Sequence, residues 1–227
     1  MSRQVQIWCV WSGPVAVLFL TIGIVMLGFL PPPSGTWNAQ EIAEFWRHNV
    51  ELKRTGLVMF VIGAGFTAPF ASVIAAQMKR MEPERAPLTY MQLIGGGLGV
   101  LVIVYPVFML GAVAYRPERD PEITQAMTDL AVPPFIGLTV AVSVQCVAIG
   151  AAILANRTGP QVYPRWVGYV NLWAALTFVP GALVLLFRSG PFARDGLIDF
   201  WVVAGVFGAW YVVMAVATLS AVKADEC

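Results

Sequence analysis

The sequence predicts an all-α polytopic membrane protein. It is read as one six-helix transmembrane domain over residues 1–227, with one or two interfacial amphipathic helices. Three observations predict it. Charged residues are 12% of the chain, against about 25% in soluble domains. Mean hydropathy is +0.73. Six apolar runs each reach the length of about 20 residues that a helix needs to cross a bilayer. A charge deficit this large means that most of the surface does not meet water.

The runs cover residues 7–30, 55–78, 89–115, 131–155, 165–186 and 196–222, each bounded by charge, Pro or Gly. In lipid the backbone must satisfy its own hydrogen bonds, so each run is expected to be helical. Aromatic residues mark several ends: Trp8 and Trp11, Tyr115, Trp166, and Phe200 with Trp201. Such rings settle at the headgroups. The first run follows a weak basic start at Arg3 and could be taken for a signal peptide. It is too long for one and ends in Pro31-Pro32-Pro33 without a small-x-small cleavage pattern, so a retained span is expected. The terminal Ala-Asp-Glu-Cys is not a prenylation motif.

Between the first two spans, residues 37–54 read WNAQEIAEFWRHNVELKR and contain the only histidine, His48. Asn38 followed by Glu41 is a capping-box pattern. It predicts a helix at about 38–54. At ~100° per residue, Ala39, Ile42, Ala43, Phe45, Trp46 and Val50 share one face. Glu41, Glu44, Arg47, His48, Glu51 and Arg54 share the other. A helix so divided lies in the interface plane or lids the bundle.

Residues 79–85 form a tight basic loop to the third span. After it, Asp120-Pro121-Glu122 supplies an N-cap, a Pro at the first helical position and an early acid. A second short surface helix is therefore expected at about 121–130, with Pro133-Pro134 opening the fourth span. Six spans place both termini on one side. The cations then divide evenly: Arg3, Lys79, Arg80, Arg85, Arg157, Arg165 and Lys223 on the side of the termini, Arg47, Lys53, Arg54, Arg116, Arg119, Arg188 and Arg194 on the other. The denser basic residues in short loops favour cytoplasmic termini in the inner (cell) membrane.

Within the spans, Gly95 and Gly99 stand in GxxxG register, and Ala204, Gly205, Gly208 and Ala209 repeat a small-xxx-small pattern. Both predict close helix packing, within one chain or across a homodimer. Pro69, Pro106 and Pro180 are expected to kink spans two, three and five. Cys9 and Cys146 lie in apolar runs and no CxxC occurs, so neither a disulfide nor a zinc site is expected.

Candidate chemistry is sparse. Glu41, Glu44, His48 and Glu51 on one helical face could handle protons or hold a divalent ion, but a solvated face with a Glu44–His48 i,i+4 pair is the simpler explanation. Asp199 begins the sixth span. A carboxylate at membrane depth points to function, while an acid at a helix N-terminus also meets the dipole there. Gln92, Tyr105, Gln145, Tyr169, Asn171 and Thr177 would line a pocket if the spans enclose one, or hydrogen-bond between helices. No Walker motif, nucleophile elbow, haem histidine pair or intraspan lysine occurs. Gly63-Ala64-Gly65-Phe66-Thr67-Ala68 fits the dinucleotide pattern only inside a span. No metal, cofactor or nucleic-acid partner is expected; a net charge of +1 supplies no phosphate-binding stripe. Asn156-Arg157-Thr158 is a formal glycosylation sequon on the side of the termini.

The amphipathic helix after span one, the entry ELKRTGLVMFVIGAG into span two and YPRWVGYVNLW at span five resemble a widespread group of bacterial six-span membrane proteins of unknown function. In that group a Pro-Arg-x-x-Gly element also opens the fifth span; here it is Pro164-Arg165-Trp166-Val167-Gly168. The resemblance covers most of the chain and implies the architecture. It brings no catalytic residues with it. The leading expectation is a non-enzymatic integral membrane component that handles a hydrophobic small molecule or assists a membrane complex, with the lipid bilayer as its first partner. Alternatives are a membrane-embedded enzyme acting on a lipophilic substrate through Glu44, His48, Glu51 and Asp199, and a small secondary transporter.

Overall fold

The computed structural model of the chain describes residues 2–82, 85–157 and 159–224. Pro83 and Glu84 of the basic loop, Thr158 of the sequon and the terminal Cys227 lie outside the described residues. The protein is an all-α polytopic membrane protein with six helical spans: Arg3–Leu27, Val50–Met78, Pro87–Tyr115, Pro121–Ala155, Arg165–Leu185 and Leu197–Ala224. Large apolar side chains such as Leu18, Ile62, Leu98, Phe108, Leu176 and Val212 stay exposed on them, as a lipid-facing surface requires.

The helices are α1 (Arg3–Leu27), α2 (Ala39–Arg47), α3 (Val50–Met78), α4 (Pro87–Tyr115), α5 (Pro121–Gly137), α6 (Thr139–Ala155), α7 (Arg165–Phe178) and α8 (Val203–Ala224). A 3₁₀ segment, Val179–Leu185, extends α7, and a π-helical turn, Leu197–Val202, leads into α8. The spans close into a ring: α1 packs on α3, α3 on α4, α4 on α6, α6 on α7, α7 on α8, and α8 back on α1. The end of the ring opposite the termini, called distal below, carries α2.

The α2 helix is shorter than the sequence predicts. The capping box forms in both directions, with Glu41 N–H donating to Asn38 Oδ1 at 3.0 Å and Asn38 N–H to Glu41 Oε2 at 2.7 Å. The helix stops at Arg47, because Asn49 takes a left-handed conformation at φ 49°. Asn tolerates that region better than any residue but Gly. The chain then turns into α3, so Val50, Glu51 and Arg54 belong to the second span. Ile42, Ala43 and Trp46 are buried and Glu41, Glu44 and Arg47 exposed. Trp46 Nε1 donates to Thr128 Oγ1 of α5 at 2.9 Å. The predicted surface helix at 121–130 does not end at Leu130. It runs through Pro133-Pro134 to Gly137 and joins the fourth span, its side buried at Thr124, Thr128, Ala131 and Val132. Phe200, expected at the headgroups, is buried because the π turn faces it inward.

Of the predicted Gly95–Gly99 pair, only Gly95 packs within the chain, together with its neighbour Gly96. A methyl at Gly95 would lie 3.0 Å from Gln145 Cβ, and one at Gly96 2.5 Å from Ala71 Cβ, whereas Gly99 meets nothing within 4 Å. Gly205 and Gly208 likewise touch nothing, so the pattern in span six does not serve packing inside the ring. Pro69 and Pro106 are accommodated within α3 and α4, while at Pro180 the α-helix gives way to 3₁₀.

Arginines hold the distal end by donating to main-chain carbonyls. Arg54 reaches Ala114 O and Tyr115 O at 3.1 Å each, neutralising the negative end of α4. Arg47 reaches Pro117 O and Arg119 O. Arg194, buried, donates to Pro33 O at 2.6 Å, Ser34 O at 2.7 Å and Asp129 Oδ1 at 2.6 Å. It thus joins the loops after α1 and before α8 to α5. Losing these charge-assisted bonds in Arg194→Leu is expected to cost on the order of 2–3 kcal/mol, read as a lower thermal midpoint in detergent. Arg194→Lys should recover less than half of that, because an ammonium lacks the planar fork. An unchanged midpoint in Arg194→Leu would contradict the assignment.

Candidate functional site

The ring encloses a cavity of about 260 Å³. It lies at the seam between two apolar cores. The distal core holds Leu27, Phe29, Ile42, Trp46, Phe60 and Ile136; the other, nearer the termini, holds Phe70, Ile149, Phe178, Trp210 and Met214. Phe60 and Ile136 from the first, with Phe70, Trp210 and Tyr211 from the second, line the space. Gly96, Gly99 and Gly208 also line it. Missing side chains at Gly99 and Gly208 leave volume there that any larger residue would occupy.

Asp199 forms part of the cavity wall. It is 0% exposed, and neither carboxylate oxygen has a hydrogen-bond partner among the described residues. The Val184 amide approaches it without reaching hydrogen-bond geometry. Most buried polar groups are paired, and an unpaired one costs its full desolvation. Asp199 owes its place to the π turn over Leu197–Val202, which buries Asp199 and Phe200 side by side. Such turns recur at functional sites. Another polar group on the wall is Gln145, 5% exposed, whose amide makes no hydrogen bond among the described residues. The hydroxyls of Thr67 and Thr139 on the wall are satisfied by Ala64 O at 2.7 Å and Ile136 O at 2.9 Å.

The other sequence candidates lie elsewhere. Glu44 and His48 are exposed at the distal end. His48 meets Asn49 Nδ2 through Nε2 at 2.9 Å, and its carbonyl accepts from Lys53 Nζ at 2.8 Å. Lys53 also sits 4.3 Å from the Phe45 ring centre, so it caps α2. Glu51 pairs with Arg54 on the exposed surface of α3. The carboxylates and His48 do not share one helical face, because the break at Asn49 redirects the chain. They do not converge with Asp199.

Of the six predicted pocket residues, Gln145 alone lines the cavity. Tyr105 and Tyr169 are 56% and 59% exposed on the outer surface of the ring. Gln92 bridges α4 to α3, its Nε2 donating to Ala71 O at 3.2 Å while Oε1 has no partner. Asn171 does not reach the cavity. It bonds Val167 O at 2.8 Å and accepts from Trp210 Nε1 at 2.8 Å, fixing an indole that does line it. Thr177 bonds back to Trp173 O and Ala174 O in its own helix. At the end near the termini, burial pushes the Tyr163 hydroxyl above the ordinary phenol range; it meets Thr218 Oγ1 at 3.2 Å. No group of three or more His, Cys, Asp or Glu side chains able to hold a metal ion comes together among the described residues.

Sequence reasoning missed the aromatic lining. Trp201 is expected at the headgroups, and no motif singles out Trp210 or Tyr211. The available signal was their spacing after Asp199: 200, 203, 207, 210 and 211 follow the helical repeat and share its face.

Comparison of the chain with protein-family models, with curated proteins and with solved structures finds no match. The fold and cavity define the class, a polytopic helical membrane protein with an internal, mostly apolar site.

Because Asp199 is buried and unpaired, replacing it should relieve the ligand-free protein. Asp199→Leu is expected to raise stability by about 1–3 kcal/mol, read as a higher thermal midpoint in neutral detergent. Glu44→Gln and His48→Gln should each stay within about 0.5 kcal/mol of the parent, as solvated surface changes do. A large loss of stability in Asp199→Leu would mean that the carboxylate has a partner.

Proposed function

We propose that this protein is a non-enzymatic membrane component that binds a hydrophobic small molecule in the cavity inside its ring of spans. The observation that carries this reading is the cavity itself: mostly apolar walls into which Asp199 and Gln145 are built without a hydrogen-bond partner among the described residues. Binding sites for small molecules have this form, concave and apolar with few placed polar groups. The enzyme alternative needs Glu44, His48, Glu51 and Asp199 at one pocket. Three of them sit on the exposed distal surface and the fourth lies on the cavity wall, apart from them, which favours binding over catalysis.

In this reading α2 is an interfacial amphipathic helix that roofs the distal core. The termini face the cytoplasm across the inner membrane. The even division of cations does not oppose that orientation. Arg47, Arg54, Arg119, Arg188 and Arg194 at the distal end all donate to main-chain carbonyls of loops and of the end of α4, so their number reflects the structural capping of that end. A fluorescent protein fused to the C-terminus should mature and fluoresce in cells, while alkaline phosphatase fused there should be inactive. The reverse pair of results would invert the topology.

Binding is testable with anthracene, a neutral apolar probe, in maltoside detergent. Saturable fluorescence with about one site per chain is expected. Gly99→Leu and Gly208→Leu fill the cavity from positions where a methyl meets nothing within 4 Å. Each should weaken binding roughly tenfold or more, while the thermal midpoint holds or rises, since Gly costs about 1 kcal/mol in a helix. Undiminished binding in both variants would place the probe outside the cavity and remove the support for this function.

A further inference from the structure

We infer that the ligand is a membrane-dissolved primary amine, an apolar body carrying an ammonium head that Asp199 receives. This rests on the binding function proposed above and names its ligand class.

The argument begins with what Asp199 lacks. Both oxygens are without a donor, and the side chain is fully buried. An ionised carboxylate in such surroundings is unfavourable unless a charge and hydrogen bonds compensate it. The nearby distal cations are committed elsewhere: Arg194 bonds Asp129, Pro33 and Ser34, and Lys53 bonds His48 O. The described residues supply no compensating group, and a ligand that enters the cavity can. An ammonium brings a positive charge and three N–H donors, enough for both oxygens. A hydroxyl brings one donor and no charge, leaving an oxygen unpaired and the charge unbalanced.

The walls point the same way. Phe60, Phe135, Phe200 and Trp201 line the cavity together with Asp199. Aromatic faces attract ammonium groups, most strongly where water is excluded. Beyond Asp199 the lining continues along α8 to Tyr211, twelve residues on, or about 18 Å of helix. That length suits an extended apolar body with its head at one end. The carboxylate oxygens expose no surface, so the Asp199 side chain turns toward the cavity to meet the head.

The cavity is reached from the bilayer. Thr21 and Leu30 on the α1 side, and Trp201 and Ala204 on the α8 side, line the cavity and are exposed. Toward the other end α1 and α8 close together, with Val10 in the same buried core as Tyr211 and Met214. The opening is therefore lateral and lies in the distal half, at the depth of Asp199 near the start of the last span. A molecule dissolved in the membrane with its charged head at the surface has that geometry.

Displacement of anthracene by a matched decyl series tests the inference in maltoside detergent at neutral pH. Decylamine should displace the probe at roughly one tenth of the decanol concentration or less, as a charge-assisted pair requires. Decanoate should be the weakest. In Asp199→Asn the preference of amine over alcohol should disappear while anthracene still binds. Should that variant fail to fold, decyltrimethylammonium on the parent protein gives the answer. Charged but without N–H, it should fall between decylamine and decanol. Equal displacement by decylamine and decanol, a preference that survives Asp199→Asn, or a trimethylammonium no better than decanol overturns the amine assignment. If anthracene does not bind the parent protein at all, the binding function itself fails, a result distinct from these.

Discussion

A chain that crosses the bilayer six times must satisfy its polar groups from within, and the rest of this structure follows from how it does so. The helices take care of their interiors. Their ends, where the last four carbonyls have no intrahelical partner, are met by side chains. Arg54 caps α4, Lys53 caps α2, Arg47 holds the turn after α4, and Arg194 gathers two loop carbonyls and Asp129 at one point. Even the buried indoles are provided for, Trp46 by Thr128 and Trp210 by Asn171. Against that background the exceptions carry meaning. Asp199 leaves two oxygens unmet, and Gln92 and Ser143 leave one atom each. Asp199 alone of these borders open space.

The space arises from several local choices that act together. Closing α8 on α1 makes the ring. Gly95 and Gly96 draw α4 against Gln145 and Ala71, while Gly99 and Gly208 contribute no side chain where the walls face each other. The π turn at the head of α8 brings Asp199 inside. Above it, Phe29 stacks edge-on with Trp46 and Phe135, and Phe135 with Phe60. This aromatic layer fills the region beneath α2. The helix with the conspicuous polar face is thus the roof of a packed core, and the cavity lies one layer deeper.

Much of the architecture was legible in the residues because bilayer thickness and hydropathy act over whole segments. The six spans, the Asn38–Glu41 capping box and the start of α5 at Pro121 all depend on local patterns. The breaks did not read so well. The helix at 38–54 divides because Asn49 tolerates a left-handed turn, and α5 passes through Pro133-Pro134 because its flank packs on α2 and α4; both outcomes are tertiary. The site was harder. A count of polar residues in spans selects Gln92, Tyr105, Tyr169 and Asn171 as readily as Gln145, since facing into a ring or out of it depends on neighbours. Asp199 stood out as the one acid in a span, and its lack of any partner emerges only when the helices are assembled.

An experimental structure of the protein purified in a native lipid mixture would decide the matter at the level of atoms. Elongated density inside the ring is predicted, with its polar end within about 3 Å of the Asp199 carboxylate and its body along α8 toward Tyr211. A cavity closed by protein side chains, with Asp199 bonded to a protein donor, would contradict the account.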